Sequence, residues 1–231
     1  MTRPLVIAHR GATRAGPQNS LAALAAAGSS GADGVEIDVR ATSDGELFLW
    51  HDEELDGAPF TRLTQAEVRQ VRLANGERVP SLAEGLGALD PRLDVFVETK
   101  ALPEVLDGPF LDTLAHGPAP SRYRVHAFDH RIIRRLHRLQ PDLPSGVLQV
   151  SYPVEHVAAL RNASADALWQ EWRLIDQDLV DSVHRERARI YAWTVNEPDD
   201  LARLTALGVD GLCTDAPEVA RRVVDSALRE V

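Results

Sequence analysis

Two histidines, three carboxylates and two strong bases stand at short intervals in the first hundred residues of this chain. His9 and Arg10 follow the apolar run Leu5 to Ala8. Glu36 and Asp38 alternate within Gly34 to Val39. His51 and Asp52 close the run Leu47 to Trp50, and Glu98 and Lys100 alternate at the end of Asp94 to Glu98. Residues two apart on a strand share a face, so Glu36 sides with Asp38 and Glu98 with Lys100. Three carboxylates from adjacent strands make an oxygen-only cage that favours a hard divalent cation, Mg²⁺ or Ca²⁺. No cysteine or paired-histidine motif supports zinc. Two histidines can act as general acid and general base near neutral pH. Arg10 and Lys100 suit phosphate, the first by its fork and the second as a point charge. Val35, Ile37 and Val39 occupy the other face of their run, so the acids turn inward. Inward acids need a counter-charge, which either Arg10 and Lys100 or a metal can supply. The residues alone leave both open. His116, His130, His137, His156 and His184 are lone histidines that do not close an apolar run as His9 and His51 do, and they read as structural.

The elements that must position these groups alternate along the chain. Strands are expected at Leu5–Ala8, Gly34–Val39, Asp94–Glu98, Tyr123–Ala127, Gly146–Val150, Asp166–Gln170, Ile190–Val195 and Asp210–Asp215. A helix capped near Asn19 or Ser20 should run to Gly28. Thr64–Glu67 and Ser81–Glu84 read as capping boxes. An Arg-rich helix from about Asp129 to Leu139 interleaves Ile132, Ile133, Leu136 and Leu139, the pattern of a barrel helix with a solvated face. Leu47–Trp50, after the turn at Asp44-Gly45, reads as a returning hairpin arm. Strict alternation implies a parallel sheet, and eight units in 231 residues imply closure. The expectation is an α/β chain forming one (β/α)₈ TIM barrel over residues 1–231, with a short hairpin insertion after strand two. An open doubly wound sheet would show a Gly-rich phosphate loop where His9-Arg10-Gly11-Ala12-Thr13 stands.

Composition excludes several classes. Apolar residues make up 44%, enough for a sizeable core and against disorder. The net charge of −10 argues against nucleic-acid binding through the overall field. The single cysteine, Cys213, cannot form an intrachain disulfide and lies in an apolar run, as a buried thiol would. No 18-residue apolar stretch and no signal-peptide pattern are present, so the expectation is a cytoplasmic protein, or a mature domain whose leader was removed, without stable membrane insertion. The oligomeric state is not legible.

Taken in order, several segments resemble the glycerophosphodiester phosphodiesterases. They are His9-Arg10-Gly11, Pro17-Gln18-Asn19-Ser20, Gly31 to Val39, Thr42 to Gly45, His51-Asp52, Val79 to Glu84, Val97 to Lys100, Trp193 to Asn196 and Gly208 to Asp215. The resemblance implies a barrel and one divalent metal on Glu36, Asp38 and Glu98. It implies His9 and His51 as the acid–base pair, Arg10 and Lys100 on the phosphate, and Trp193 as an apolar wall. Gln18, Asn19 and Asp52 would stand just behind them. The implied substrate is a small glycerophosphodiester, cleaved through a cyclic phosphate to glycerol 3-phosphate and an alcohol. The chain departs from the pattern in three places. Gln18 stands where Glu is usual, and Gln18→Glu is expected to raise the rate. Ala127 replaces a Ser expected near the mouth. The stretch Glu53 to Phe60 is short. That stretch and the absence of an evident apolar surface favour soluble diesters over a related phosphodiesterase or lyase acting on lysophospholipids, and the alternative outside enzymes is a barrel that binds phosphorylated ligands without turnover.

Overall fold

In the computed structural model, which describes residues 3–227, eight parallel strands close on themselves. They are β1 (Leu5–His9), β2 (Gly34–Ala41), β3 (Asp94–Ala101), β4 (Tyr123–Ala127), β5 (Ser145–Gln149), β6 (Ala167–Glu171), β7 (Arg189–Trp193) and β8 (Gly211–Thr214). Each pairs with the next, and β1 pairs with both β2 and β8, which closes the eight strands into a barrel. The fold is a TIM barrel.

Outward residues such as Val35, Ile37, Val39, Val95, Val97 and Val125 join the helices in the large core between barrel and shell. Inward residues build a second, smaller core from Ile7, Phe96, Leu148, Ala167, Trp169, Tyr191 and Cys213. Three of its rings pack against one another, Phe96 with Trp169 and Tyr191 at 5.2 and 5.3 Å. Glycines make room for them: a Cβ at Gly211 would lie 2.7 Å from the Tyr191 ring, and one at Gly146 would lie 2.8 Å from Trp169. Gly211→Ala should therefore lower stability by about 1–3 kcal/mol, read as an earlier urea midpoint. An unchanged midpoint would mean that the ring moves freely. Cys213 is buried in this plug, as its apolar run led one to expect.

The helix after β1 starts at Ser20, whose side chain accepts from the Ala23 amide, and spans Leu21–Ala26. The α-helix ends just before Gly28, with Ala27 as its C-cap. A 3₁₀ turn, Gly28–Ser30, follows and is closed by Gly31 at a φ of 86°. Both capping boxes form, opening Gln65–Val68 and Leu82–Ala88. Asp129 caps His130–Leu139. On that helix Arg135 is not simply solvated: it grips the buried Asp107 at 2.8 Å and the Leu102 carbonyl at 2.9 Å.

Between β2 and β3 the chain returns along β2 as the arm Leu47–Leu49. It then makes a second, unexpected hairpin, Glu54–Leu55 against Ala58–Pro59. Asp56 and Gly57 turn it, both at positive φ. Phe48, Leu55, Phe60, Val68 and Val79 form a separate small core beneath this insertion. Val150, assigned to the fifth strand by its apolar side chain, lies beyond β5 and is 62% exposed. Ala127 is fully buried in the outer core, so the Ser-to-Ala difference removes no hydroxyl from the mouth.

Candidate active site

The charged residues singled out above converge where β1, β2 and β3 end. Parallel registry sets His9 beside Glu36 and Asp38 beside Glu98. Pairing then shifts by one residue, Arg40 facing Ala101 rather than Lys100. Lys100 is the extra residue of this irregularity. Its ammonium lies 3.0 Å from Asp38 Oδ1 and 2.6 Å from Glu98 Oε1, charge pairs without an aligned hydrogen bond.

Asp38 is the hub, 1% exposed. Its Oδ2 meets Arg10 Nε at 3.0 Å and accepts from Asn19 Nδ2 at 2.9 Å. The Asn19 Oδ1 returns the contact to the Asp38 amide at 3.3 Å. Arg10 and Asn19 both adopt left-handed backbone, φ 57° and 58°, which folds their loop back over the strand end. Arg10 also donates to Gln18 Oε1 at 2.6 Å, so Gln18 does orient this guanidinium. Gln18→Glu should strengthen that hold, and a kcat equal to or below the parent's would reject the expected gain.

Each candidate histidine leans on an aspartate. His9 Nδ1 is 2.7 Å from Asp215 Oδ1, and Asn196 holds the other Asp215 oxygen at 2.7 Å. His51 Nδ1 is 2.8 Å from Asp52 Oδ1. With the carboxylates as acceptors, both Nδ1 atoms donate, and each Nε2 is left to accept or deliver a proton. His9 Nε2 faces Glu36 at 4.0 Å. His51 sits on the insertion, its carbonyl held by Arg40 at 2.8 and 3.0 Å. Burial lowers its pKa from the ordinary histidine value, with Asp52 opposing.

The three acids differ. Burial pushes Asp38 up, but Lys100 and Arg10 outweigh it and hold its carboxyl below the ordinary range. Burial, then Asp38 and Glu98, raises Glu36 well above that range. Burial raises Glu98 to about 7 against the pull of Lys100. Glu36 Oε1 is buried and has no hydrogen-bond partner among the described residues. Glu36, Glu98 and His126, which no feature of the sequence marked, each bring one donor atom within 4.8 Å of the other two. This donor set, with an orphaned carboxylate oxygen, fits a divalent cation.

Raised acids make stability fall as pH rises, because the folded state holds protons that the unfolded chain has lost. In chelator, unfolding free energy should therefore decrease from about pH 4.5 to about pH 7 on account of Glu98. Asp38, with its lowered pKa, acts oppositely and only at lower pH. A saturating divalent cation should flatten the slope. Urea titrations at pH 5, 6 and 7 with and without metal test this, and a chelated protein that gains stability over that range would reject it.

At the rim, Trp193 packs edge-on against Phe128 at 5.5 Å. Phe128, missed from sequence, is 46% exposed on the loop after β4. Val105 follows β3, and Val150, Tyr152 and Val154 follow β5, with Val154 98% exposed. Large apolar side chains are thus exposed on the loops that follow β3, β4 and β5, where the sequence showed no evident apolar surface. Among the described residues no helix is long and apolar enough to cross a membrane.

Comparison with known proteins agrees with this geometry. A glycerophosphodiester phosphodiesterase of Caldanaerobacter subterraneus is 30% identical, over 96% of this chain and 98% of its own. A glycerophosphodiester phosphodiesterase of Parabacteroides distasonis superposes with a TM-score of 0.88 at 24% identity, covering 98% of both chains. A phosphodiesterase of Oleispira antarctica, solved with its product sn-glycerol-3-phosphate, superposes with a TM-score of 0.87 at 23% identity, over 96% of this chain and 97% of its own. The model of the glycerophosphoryl diester phosphodiesterase family matches residues 9–219. The chain belongs to that family of phosphoric diester hydrolases.

Proposed function

We propose that this chain hydrolyses glycerophosphodiesters to glycerol 3-phosphate and an alcohol, with one divalent cation bound. The observation that carries this reading is the pairing of two Asp-backed histidines with buried carboxylates and two cations at one barrel mouth. Glu36, Asp38 and Glu98 are the carboxylates that would hold the cation, Mg²⁺ or Ca²⁺, with Asp38 beside Glu98 in the strand register. When bound, the cation would polarise the phosphate and offset its charge.

The remaining work falls to the chain. Arg10 and Lys100 bind the non-bridging oxygens. One histidine takes the proton of the glycerol 2-hydroxyl as it attacks phosphorus. The other protonates the departing alcohol. A cyclic glycerol phosphate forms, and water opens it with the two roles reversed. Trp193 walls the alcohol side, and Asn19, Gln18 and Asp52 hold Asp38, Arg10 and His51 in place.

The test is release of glycerol 3-phosphate from glycerophosphocholine and glycerophosphoethanolamine, with Mg²⁺, Ca²⁺ or chelator. Metal-dependent release is expected, and none with any metal would sink the reading. The exposed apolar side chains Phe128, Val150, Tyr152 and Val154, on the loops after β4 and β5, favour as a second reading an amphiphilic alcohol, as in a lysophospholipid. A lysophosphatidylcholine outpacing glycerophosphocholine in kcat/KM would select it.

A further inference from the structure

We propose that His126 gives the metal centre of this chain a nitrogen donor, so that the site prefers Mn²⁺ and its later first-row neighbours over Mg²⁺ and Ca²⁺. The inference rests on the metal-dependent reading above and concerns which ion fills the site. His126 lies on β4 directly across from Glu98 on β3. It is 1% exposed in the barrel interior. One of its ring nitrogens comes within 4.8 Å of donor oxygens of both Glu36 and Glu98. An ion with bonds of about 2.1 Å links donors up to about 4.2 Å apart, so only a small closure is needed.

The ring is already oriented. It stacks on Trp169 with centroids 4.2 Å apart and planes 5° from parallel, and Trp169 is wedged among Phe96 and Tyr191. His126 Nδ1 is buried without a hydrogen-bond partner among the described residues, as is Glu36 Oε1 across the same space. A stacking role alone would be met by Phe, whose ring needs no partner for a buried nitrogen. An imidazole that keeps a polar atom unsatisfied beside two carboxylates is better explained as a ligand. Oxygen ligands alone suit Mg²⁺ or Ca²⁺. Replacing one by imidazole moves the ranking toward Mn²⁺, Co²⁺ and Zn²⁺, which accept nitrogen readily.

The experiment uses the full chain loaded with Mn²⁺ and read by pulsed electron paramagnetic resonance, where nitrogen-14 modulation reports a nitrogen ligand. Calorimetry gives Mn²⁺ and Mg²⁺ affinities in parallel. The expected result is nitrogen modulation in the parent and in His9→Ala, lost in His126→Phe, which keeps the stack on Trp169. His126→Phe should weaken Mn²⁺ binding by about 100-fold and Mg²⁺ binding by less than about tenfold. Mn²⁺ bound without nitrogen modulation, or modulation that vanishes in His9→Ala, overturns the proposal. So does a Mn²⁺-to-Mg²⁺ affinity ratio unchanged in a folded His126→Phe. Should that variant fail to fold, the parent and His9→Ala spectra still decide. A parent that releases glycerol 3-phosphate but shows no nitrogen coupling rejects only this assignment. One that shows the coupling but cleaves no diester rejects the substrate reading and leaves the ligand in place.

Discussion

His9→Ala should lower kcat for glycerol 3-phosphate release by about 10²–10⁴-fold, with unfolding temperature nearly unchanged. The residue is partly exposed, and its Nδ1 lies 2.7 Å from Asp215 Oδ1. Truncation leaves the strand pairing of β1 in place. What it removes is the Nε2 that faces Glu36 and the space between the strand ends. Because a proton transfer is lost rather than a ground-state contact, KM should move far less than kcat. Asp215→Asn should act in the same direction, since an amide no longer enforces Nδ1 as the donor. A His9→Ala enzyme within threefold of the parent would remove His9 from the chemistry.

The second large effect is on stability. Lys100→Met should cost about 3–5 kcal/mol in chelator at pH 8, because it strips one cation from two buried carboxylates. Arg10 would still face Asp38, but Glu98 would lose its close cation. The cost should shrink at pH 5.5, where Glu98, already pushed up to about 7 by burial, takes a proton instead. Urea midpoints of parent and variant at both pH values settle the matter. Equal midpoints at pH 8 would show that the ammonium is dispensable to the fold.

The barrel was legible because its strands combine apolar runs with polar ends. Tyr123–Ala127 is met residue for residue, and the weak sixth strand is off by one. Errors gather where side-chain type and position disagree. Val150 looks like strand by its side chain, yet it lies one residue past β5 and is exposed. The hairpin at Asp56-Gly57 has arms of two residues, too short for any alternation to show. Among site residues, those marked by local spacing do assemble: Glu36 with Asp38, Glu98 with Lys100. The partners that arrive through space were invisible. Asp215 is 206 residues from His9 and becomes its neighbour only when β8 closes on β1. His126 shares its strand with Arg124 and nothing local sets it apart, so only the β3–β4 registry puts it opposite Glu98.

The small core beneath the insertion has a consequence for how the enzyme would fail. His9 is carried by the barrel, whereas His51 stands at the seam where Phe48, Leu55, Phe60, Val68 and Val79 pack apart from it. A local opening of that body would separate acid from base while every barrel strand stayed paired. Heat would then extinguish turnover before the protein melts, and the amides of Leu47 to Val79 would exchange with solvent ahead of those in β1 to β8. Simultaneous exchange in both regions would show instead that the two bodies open as one.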